Sequence, residues 1–450
     1  MQSWSRTSSA RSVSGPHLAV IEFRHASAMS SETISLITIP LFSAAIGYVT
    51  NWTGVWMLFN PVRFAGFRLP GLRVISQLLP RRIQQIPGIM VGGVGWQGII
   101  PSRAAKMGSI AVDKGIAKLG SPSEFYDRVD PEKLADYIVE SSRSEIRELV
   151  ERAVRREHPR LWRDLTPELR EQVYARVERQ YPAIVHEVFE RIGRNIDQLL
   201  DVKLMVMRRI EQSPELANKI FRSVGDKELR LIINMGFVLG FVQGIPVAAL
   251  TAIVGAPWVL LVCGPIVGWV TNWVAILMIF EPVEPKRILG IRFQGMFLRR
   301  QDEVAEVYAD VIANDIVTVH NMGEELLHGA NSDRTRQMIQ KALRPAIDRS
   351  VGSARPLVRL AVGPREYDAI RETVAREGVD STMTPLSDPE LNRRQGAAVR
   401  SLLVERMREM PANDFSDMLR TVIRQDEWLL LAHGGALGIV GGALHLLLFA

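Results

Sequence analysis

Charged residues are distributed along this chain in blocks separated by three long gaps. None falls between Glu32 and Arg63, none in the fifty residues between Arg230 and Glu281, and none from Trp428 to Ala450. A helix rises about 1.5 Å per residue and the hydrocarbon core of a bilayer is about 30 Å thick, so about 20 apolar residues cross it. The outer gaps therefore predict one membrane span each. The central gap predicts two, broken near Gly255-Ala256-Pro257. The expected spans run from Ile34 to Phe59, Leu231 to Ile253, Trp258 to Phe280 and Leu429 to Phe449. A buried core helix would not run fifty residues without a charge.

The polar stretches between the gaps have helical punctuation. Asp130-Pro131-Glu132, Thr166-Pro167-Glu168, Ser213-Pro214-Glu215 and Asp388-Pro389-Glu390 each place a capping side chain before a proline suited to the first helical position. An acid that favours the positive end of the helix follows. Ile184, Val188, Ile192, Ile196 and Leu199 make an apolar stripe at helical spacing, with Glu187, Arg191 and Arg194 outside it. No Val/Ile/Thr-rich run alternates with period two, so no sheet is expected. The fold class is thus an all-α integral membrane protein with four transmembrane helices. Residues 1–33 are expected to be a disordered basic tail, with Met29 as an alternative start. Residues 60–120 form a basic juxtamembrane segment, and 121–230 and 281–428 two helical soluble domains.

The pattern occurs twice. GYVTNWTGVWMLFNPV at Gly47 to Val62 and GWVTNWVAILMIFEPV at Gly268 to Val283 share nine of sixteen residues. Further on, Gln97, Gly98, Arg103 and Asp113 match Gln294, Gly295, Arg300 and Asp310. The spacing there is shorter, which gives the first half about two dozen extra residues. GFVLGFVQG at Gly236 matches GGALGIVGG at Gly434. Each half reads span, polar segment, span, and an even number of crossings separates equivalent points, so both halves have the same topology. The doubled G-[YW]-V-T-N-W-x4-M-[LI]-F-x-P, IIPSRAAKM at Ile99, FQGMFLRRQ at Phe293 and the Gly-rich last span resemble an uncharacterised bacterial membrane-protein family. It is catalogued as domain of unknown function 445 and includes YheB-like and YjiN-like proteins. The resemblance covers most of residues 34–450 and implies membrane residence and helical structure, without a reaction or catalytic residues.

Charge sets an orientation. The span flanks on the side of the polar segments carry fourteen Lys or Arg, against Arg24 alone on the other side. By the positive-inside rule the polar segments are cytoplasmic, in a bacterial inner membrane. The formal net charge of +6 is concentrated in residues 61–120, where nine Lys or Arg face the single acid Asp113. A basic excess next to a span fits anionic lipid better than nucleic acid, and Arg63, Arg68, Arg73, Arg81, Arg82 and Arg103 are the expected headgroup contacts. Plain positive-inside topology would produce the same excess. Oligomers are compatible with the pattern.

Within that stretch, the uncharged Ile86 to Pro101 is too short to span and is expected to be re-entrant or interfacial. It contains GVGWQG, a literal G-x-G-x-x-G. A dinucleotide fingerprint needs a strand before it and a helix after it, and Pro87 and Pro101 bracket this one instead. Inside the membrane, Asn51 and Asn272 lie ten residues before Pro61 and Pro282, about 15 Å into the hydrocarbon. An unsatisfied amide there is costly. Two readings are open. The favoured one has equivalent helices meeting at a pseudo-twofold axis, with the two asparagines bonded across it and Thr50, Thr271, Trp52 and Trp273 helping. The other is a solute site at the interface of the halves.

None of the four expected spans contains Asp, Glu, Lys or Arg, which argues against charge-coupled transport. His433 and His445 read as packed or interfacial. His320 and His328 lack metal spacing, Cys263 is the single cysteine, and no Walker loop or nucleophile elbow is present. The sequence predicts no cofactor and a non-enzymatic, membrane-organising or envelope component contacting lipid. The alternative is a carrier or channel for a neutral or lipidic solute.

Overall fold

The computed structural model describes residues 16–288, 291–351, 359–360, 362–381, 383–424 and 426–449. The first fifteen residues of the expected tail lie outside these. Among the described residues four helices are long and apolar enough to cross a membrane, as the charge gaps predict. Helix α1 is Pro16–Phe59, of which Ile34–Phe59 is the span. In chain order the helices used below are then α2 (Pro131–Ser141), α3 (Arg143–Glu157), α4 (Pro167–Leu199) and the second span α5 (Pro214–Val254). The third span α6 (Val259–Phe280), α7 (Ser332–Val351), α8 (Pro364–Ser381), α9 (Pro389–Glu409) and the last span α10 (Glu427–Phe449) complete the set. The chain is a membrane protein of the all-α class, its bulk helical.

Two boundaries differ from the sequence reading. Helix α1 extends back to Pro16, into the segment expected to be disordered. Helix α5 starts at the Ser213-Pro214 signal and runs unbroken into the span, so Leu231 is not an element boundary. Loss of charge marks where hydrocarbon can begin, but only a breaker ends a helix. The break between α5 and α6 has one, since Gly255 sits at φ +64, a left-handed conformation that favours glycine.

The chain divides into two compact units. One comprises the described residues of Met1–Trp56, Lys227–Met278 and Asp426–Ala450, the four spans. Its outward face keeps large apolar side chains exposed, among them Ile37, Trp52, Phe237, Ile266 and Val440. A contiguous apolar surface on that scale is what lipid covers. Inside, backbones touch. A Cβ at Gly47 would lie 2.2 Å from the Gly236 carbonyl oxygen, and one at Gly240 2.3 Å from that of Ser43. In the other pair of spans, a Cβ at Gly268 would meet the Gly434 oxygen at 2.1 Å and one at Gly264 the Gly438 oxygen at 2.2 Å. Small residues four apart let helices approach closely where no hydrophobic force drives them together.

The second unit joins Met57–Asp226 with Ile279–Gln425. The two polar segments, read from the sequence as separate soluble domains over 121–230 and 281–428, are one body. The stripe Ile184, Val188, Ile192, Ile196 and Leu199 is buried, and α4 carries it against α2 and, from the other segment, α7. Helix α3 packs likewise against α8. Each buried aliphatic side chain contributes about 1.5–3 kcal/mol, and either segment alone would leave part of this surface wet. The capping signals act as expected: Asp130 accepts from the Lys133 N–H, Thr166 from Leu169 and Asp388 from Glu390.

Among its described residues the unit also contains four short strands, against the expectation of no sheet. Strand β1 (Ala65–Arg68) pairs antiparallel with β2 (Gly93–Trp96), and β3 (Lys286–Ile288) with β4 (Ile291–Phe293). Three or four residues are too few for alternation to show. The extra residues of the first half now have a place. They are the 69–92 connection between β1 and β2, where only residues 289 and 290 separate the strands of the other hairpin.

Candidate functional site

The membrane asparagines are buried, Asn51 at 2% exposure and Asn272 at 7%. They do not meet across an axis. Asn51 Nδ2 donates to the Ile232 carbonyl at 2.6 Å, and Asn272 Nδ2 donates to the Leu430 carbonyl at 2.6 Å. Each ties a span to the other span of its own half. The expected bond between the two amides is therefore corrected: a carbonyl one helix turn before Gly236 or Gly434 lies nearer, because those glycines admit the amide. A Cβ on either would sit within 2.7 Å of the asparagine nitrogen. The halves are linked by other groups. Gln243 Nε2 donates to Thr271 Oγ1 at 3.0 Å, and the hydroxyls of Thr53 and Thr38 pair with His433 and His445 at 3.0 and 3.3 Å.

Between the four spans lies a cavity of about 50 Å³. Thr50, Thr271, Ser43 and His445 line it with several glycines; neither asparagine does. Thr50 is buried, and its hydroxyl and Asn51 Oδ1 find no partner among the described residues. This is room for a few waters rather than for a solute. Trp52 and Trp273 do not help the asparagines. Both are about half exposed on the outer face, and Trp273 stacks on Trp269 at 6.2 Å. The sequence reading also passed over Glu228 and Asp426, which stand just before the second and last uncharged stretches and are both buried. Their equivalence, two residues before Arg230 and Trp428, was visible in the alignment of the halves.

The remaining repeated residues close the span ends. Gln97 Nε2 donates to the Val62 carbonyl and Gln294 Nε2 to that of Val283, at 2.8 and 3.3 Å. The N–H groups of Gly98 and Gly295 donate to the carbonyls of Pro61 and Pro282, both at 2.9 Å. Arg222 lies over the Phe59 ring and Arg420 over the Phe280 ring, at 4.8 and 5.8 Å. GVGWQG is accounted for in the same way. Gly93 and Gly95 belong to β2, where a Cβ would strike the Phe64 ring, and Gly98 packs on the Phe59 and Asn60 backbone. Close packing in and beside the hairpin is what these glycines admit.

Of the expected headgroup contacts, Arg63 and Arg68 are exposed. Arg103 is not: it is 7% exposed and donates to the Gln85 carbonyl at 2.8 Å, a bond that secures the 69–92 connection. The side chains of Arg73, Arg81 and Arg82 lie outside the described residues. In the 67–94 stretch apolar side chains stand open, with Phe67 83% and Leu78 86% exposed and Leu69, Val74, Ile75 and Val94 also exposed. No group of three His, Cys, Asp or Glu side chains that could hold a metal occurs among the described residues. His320 contacts Ser387, and His328 pairs with Glu324.

No family model matches the chain. It is similar to a UPF0754 membrane protein of Staphylococcus epidermidis, 30% identical over 93 residues that make up 20% of this chain and 24% of that one. A UPF0754 membrane protein of Geobacillus kaustophilus is 28% identical over 102 residues, 22% of this chain and 27% of its own length. One of Staphylococcus aureus is 32% identical over 87 residues, 19% and 23% of the two chains. The match spans about a quarter of the length of these curated relatives.

Proposed function

We propose that the chain is a non-enzymatic component of the bacterial inner membrane that organises membrane or envelope through contact with anionic lipid, its polar unit on the cytoplasmic side. The observation that carries this reading is the open apolar surface of the 65–94 region beside exposed Arg63 and Arg68. Water does not favour Phe67, Val74 and Leu78 standing open together, and apolar side chains flanked by cations suit the headgroup layer. Chain continuity agrees, since β1 begins at Ala65, a few residues after α1 ends at Phe59. The membrane relatives and the resemblance to the domain of unknown function 445 support residence in a membrane without suggesting a reaction. A carrier is less well supported, because the cavity between the spans is small and the asparagines are spent on interhelical bonds.

The test uses the full chain with Cys263→Ala and Leu78→Cys, labelled with bimane in proteoliposomes. Brominated phosphatidylglycerol should quench the label more than brominated phosphatidylcholine, and salt should reduce the difference. Quenching by aqueous iodide and not by either lipid would refute the contact.

A further inference from the structure

Within the polar unit, α2, α3 and α4 of the first segment and α7 and α8 of the second enclose a cavity of about 580 Å³. Protein interiors contain few voids larger than a water molecule, whereas ligand pockets run from about 300 to 1,000 Å³. The space is therefore of ligand size. Its wall is built mainly of branched aliphatics, including Leu149, Val150, Val177, Val185, Leu343 and Val374. Such a wall suits a flexible hydrocarbon chain better than a planar ring. A helix about 10 Å across would fit only roughly one turn into this volume, so a partner segment is a poor occupant.

The cavity has a polar end. Leu169, Gln172, Val173 and Arg176 follow one another along a single face of α4 and all line the cavity. All four are exposed, which marks this face as the opening. Arg176 Nη1 donates to the Val351 carbonyl at 2.9 Å, which holds the guanidinium at the rim. Of the other charged groups in the wall, Arg371 is ion-paired with Asp348 and Asp368, and Glu145 lies on α3.

We propose that this cavity binds one long acyl chain with an anionic head, the chain among the aliphatic side chains and the head at Arg176. The chain can come from a free fatty acid or from a phospholipid. The site is separate from the surface contact of the 65–94 region and does not depend on it.

The probe is palmitic acid bearing a diazirine in its chain, added to proteoliposomes of the full-length protein and crosslinked by light. Peptides from 143–199 and 332–381 should be labelled, and unlabelled palmitate should compete far better than octanoate, since each methylene tightens binding roughly fourfold. Leu149→Trp with Val177→Trp fills the space and should reduce labelling of those peptides at least fivefold while labelling of the spans persists. Arg176→Glu, an exposed position that does not threaten folding, should reduce labelling by the acid at least threefold and leave labelling by the corresponding alcohol unchanged. Phosphatidylglycerol carrying the same diazirine chain distinguishes the sources: stronger cavity labelling by it assigns the chain to a phospholipid, stronger labelling by the acid to a fatty acid. Labelling confined to the spans or to 63–96 with both probes, or cavity labelling undiminished by the filled and Arg176→Glu variants, would overturn the proposal. Label confined to 63–96 would leave the surface contact standing.

Discussion

The two halves of this chain solve the same problem twice and then diverge at one hairpin. In α1 with α5, and again in α6 with α10, an asparagine amide donates to a carbonyl four residues before a glycine, and glycine or serine backbones touch along the next two turns. The first span of each half, α1 and α6, ends on a buried phenylalanine under an arginine and is followed by a valine whose carbonyl accepts from a glutamine. The hairpins differ. Two residues lie between β3 and β4, whereas β1 and β2 are separated by residues 69–92, among which Leu69, Val74, Ile75 and Leu78 stand open to the surroundings. What both halves share is accounted for by helix association and span closure. What one half has alone is where a specific contact is to be sought.

The largest effect that would break this comparison is steric. Gly268→Leu would drive a side chain into the Gly434 carbonyl, and Gly47→Leu into that of Gly236. Each should abolish folded protein in detergent, read by size exclusion and thermal unfolding, because the helices must part by ångströms. Survival of either variant with an unchanged melting curve would deny the close approach.

Asn51→Leu and Asn272→Leu come next. Each removes one interhelical bond worth about 1 kcal/mol and leaves a carbonyl still bonded within its helix. Because the two amides have separate partners, the double variant should lose the sum of the single losses. A smaller loss in the double variant would restore direct pairing across the halves.

Replacing residues 69–92 by two residues would give the first hairpin the connection length of the second. Lipid quenching of a label at Phe67→Cys in the Cys263→Ala background should fall, with thermal stability changed by less than about 2 kcal/mol. Unfolding instead would make the insertion part of the core.

The smallest effect is on acid stability. The hydrogen bond from Tyr137, helped by the Glu390 N–H, holds the Asp388 carboxyl below its ordinary value. A depressed carboxylate stabilises the fold above its unfolded-state pKa, and that stability is lost as pH falls through the folded value. Tyr137→Phe should therefore lower the melting temperature slightly near neutrality and flatten its decline below about pH 4. An identical pH profile would show that this link between the two polar segments carries no energy.

Much of this architecture was legible without coordinates. Four charge gaps of span length, counting the broken one twice, became four spans, and the Pro-preceded acids became helix starts at Pro131, Pro167, Pro214 and Pro389. Hydropathy and capping are local: each depends on residues within a turn or a span, so the linear order of side chains carries the information. The doubling of T-N-W likewise announced that something near the middle of the membrane is needed twice.

Only the tertiary structure decided who meets whom. It gave the asparagines to backbone carbonyls within each half, where sequence symmetry had suggested each other. It buried Arg103 against Gln85, though its charge had placed it among lipid contacts. It merged two polar segments into one body and left a cavity of about 580 Å³ between helices of both. These are matters of distance between residues far apart in the chain. Periodicity shows that a helix has an apolar face, but the shape of the space that face encloses depends on every helix around it.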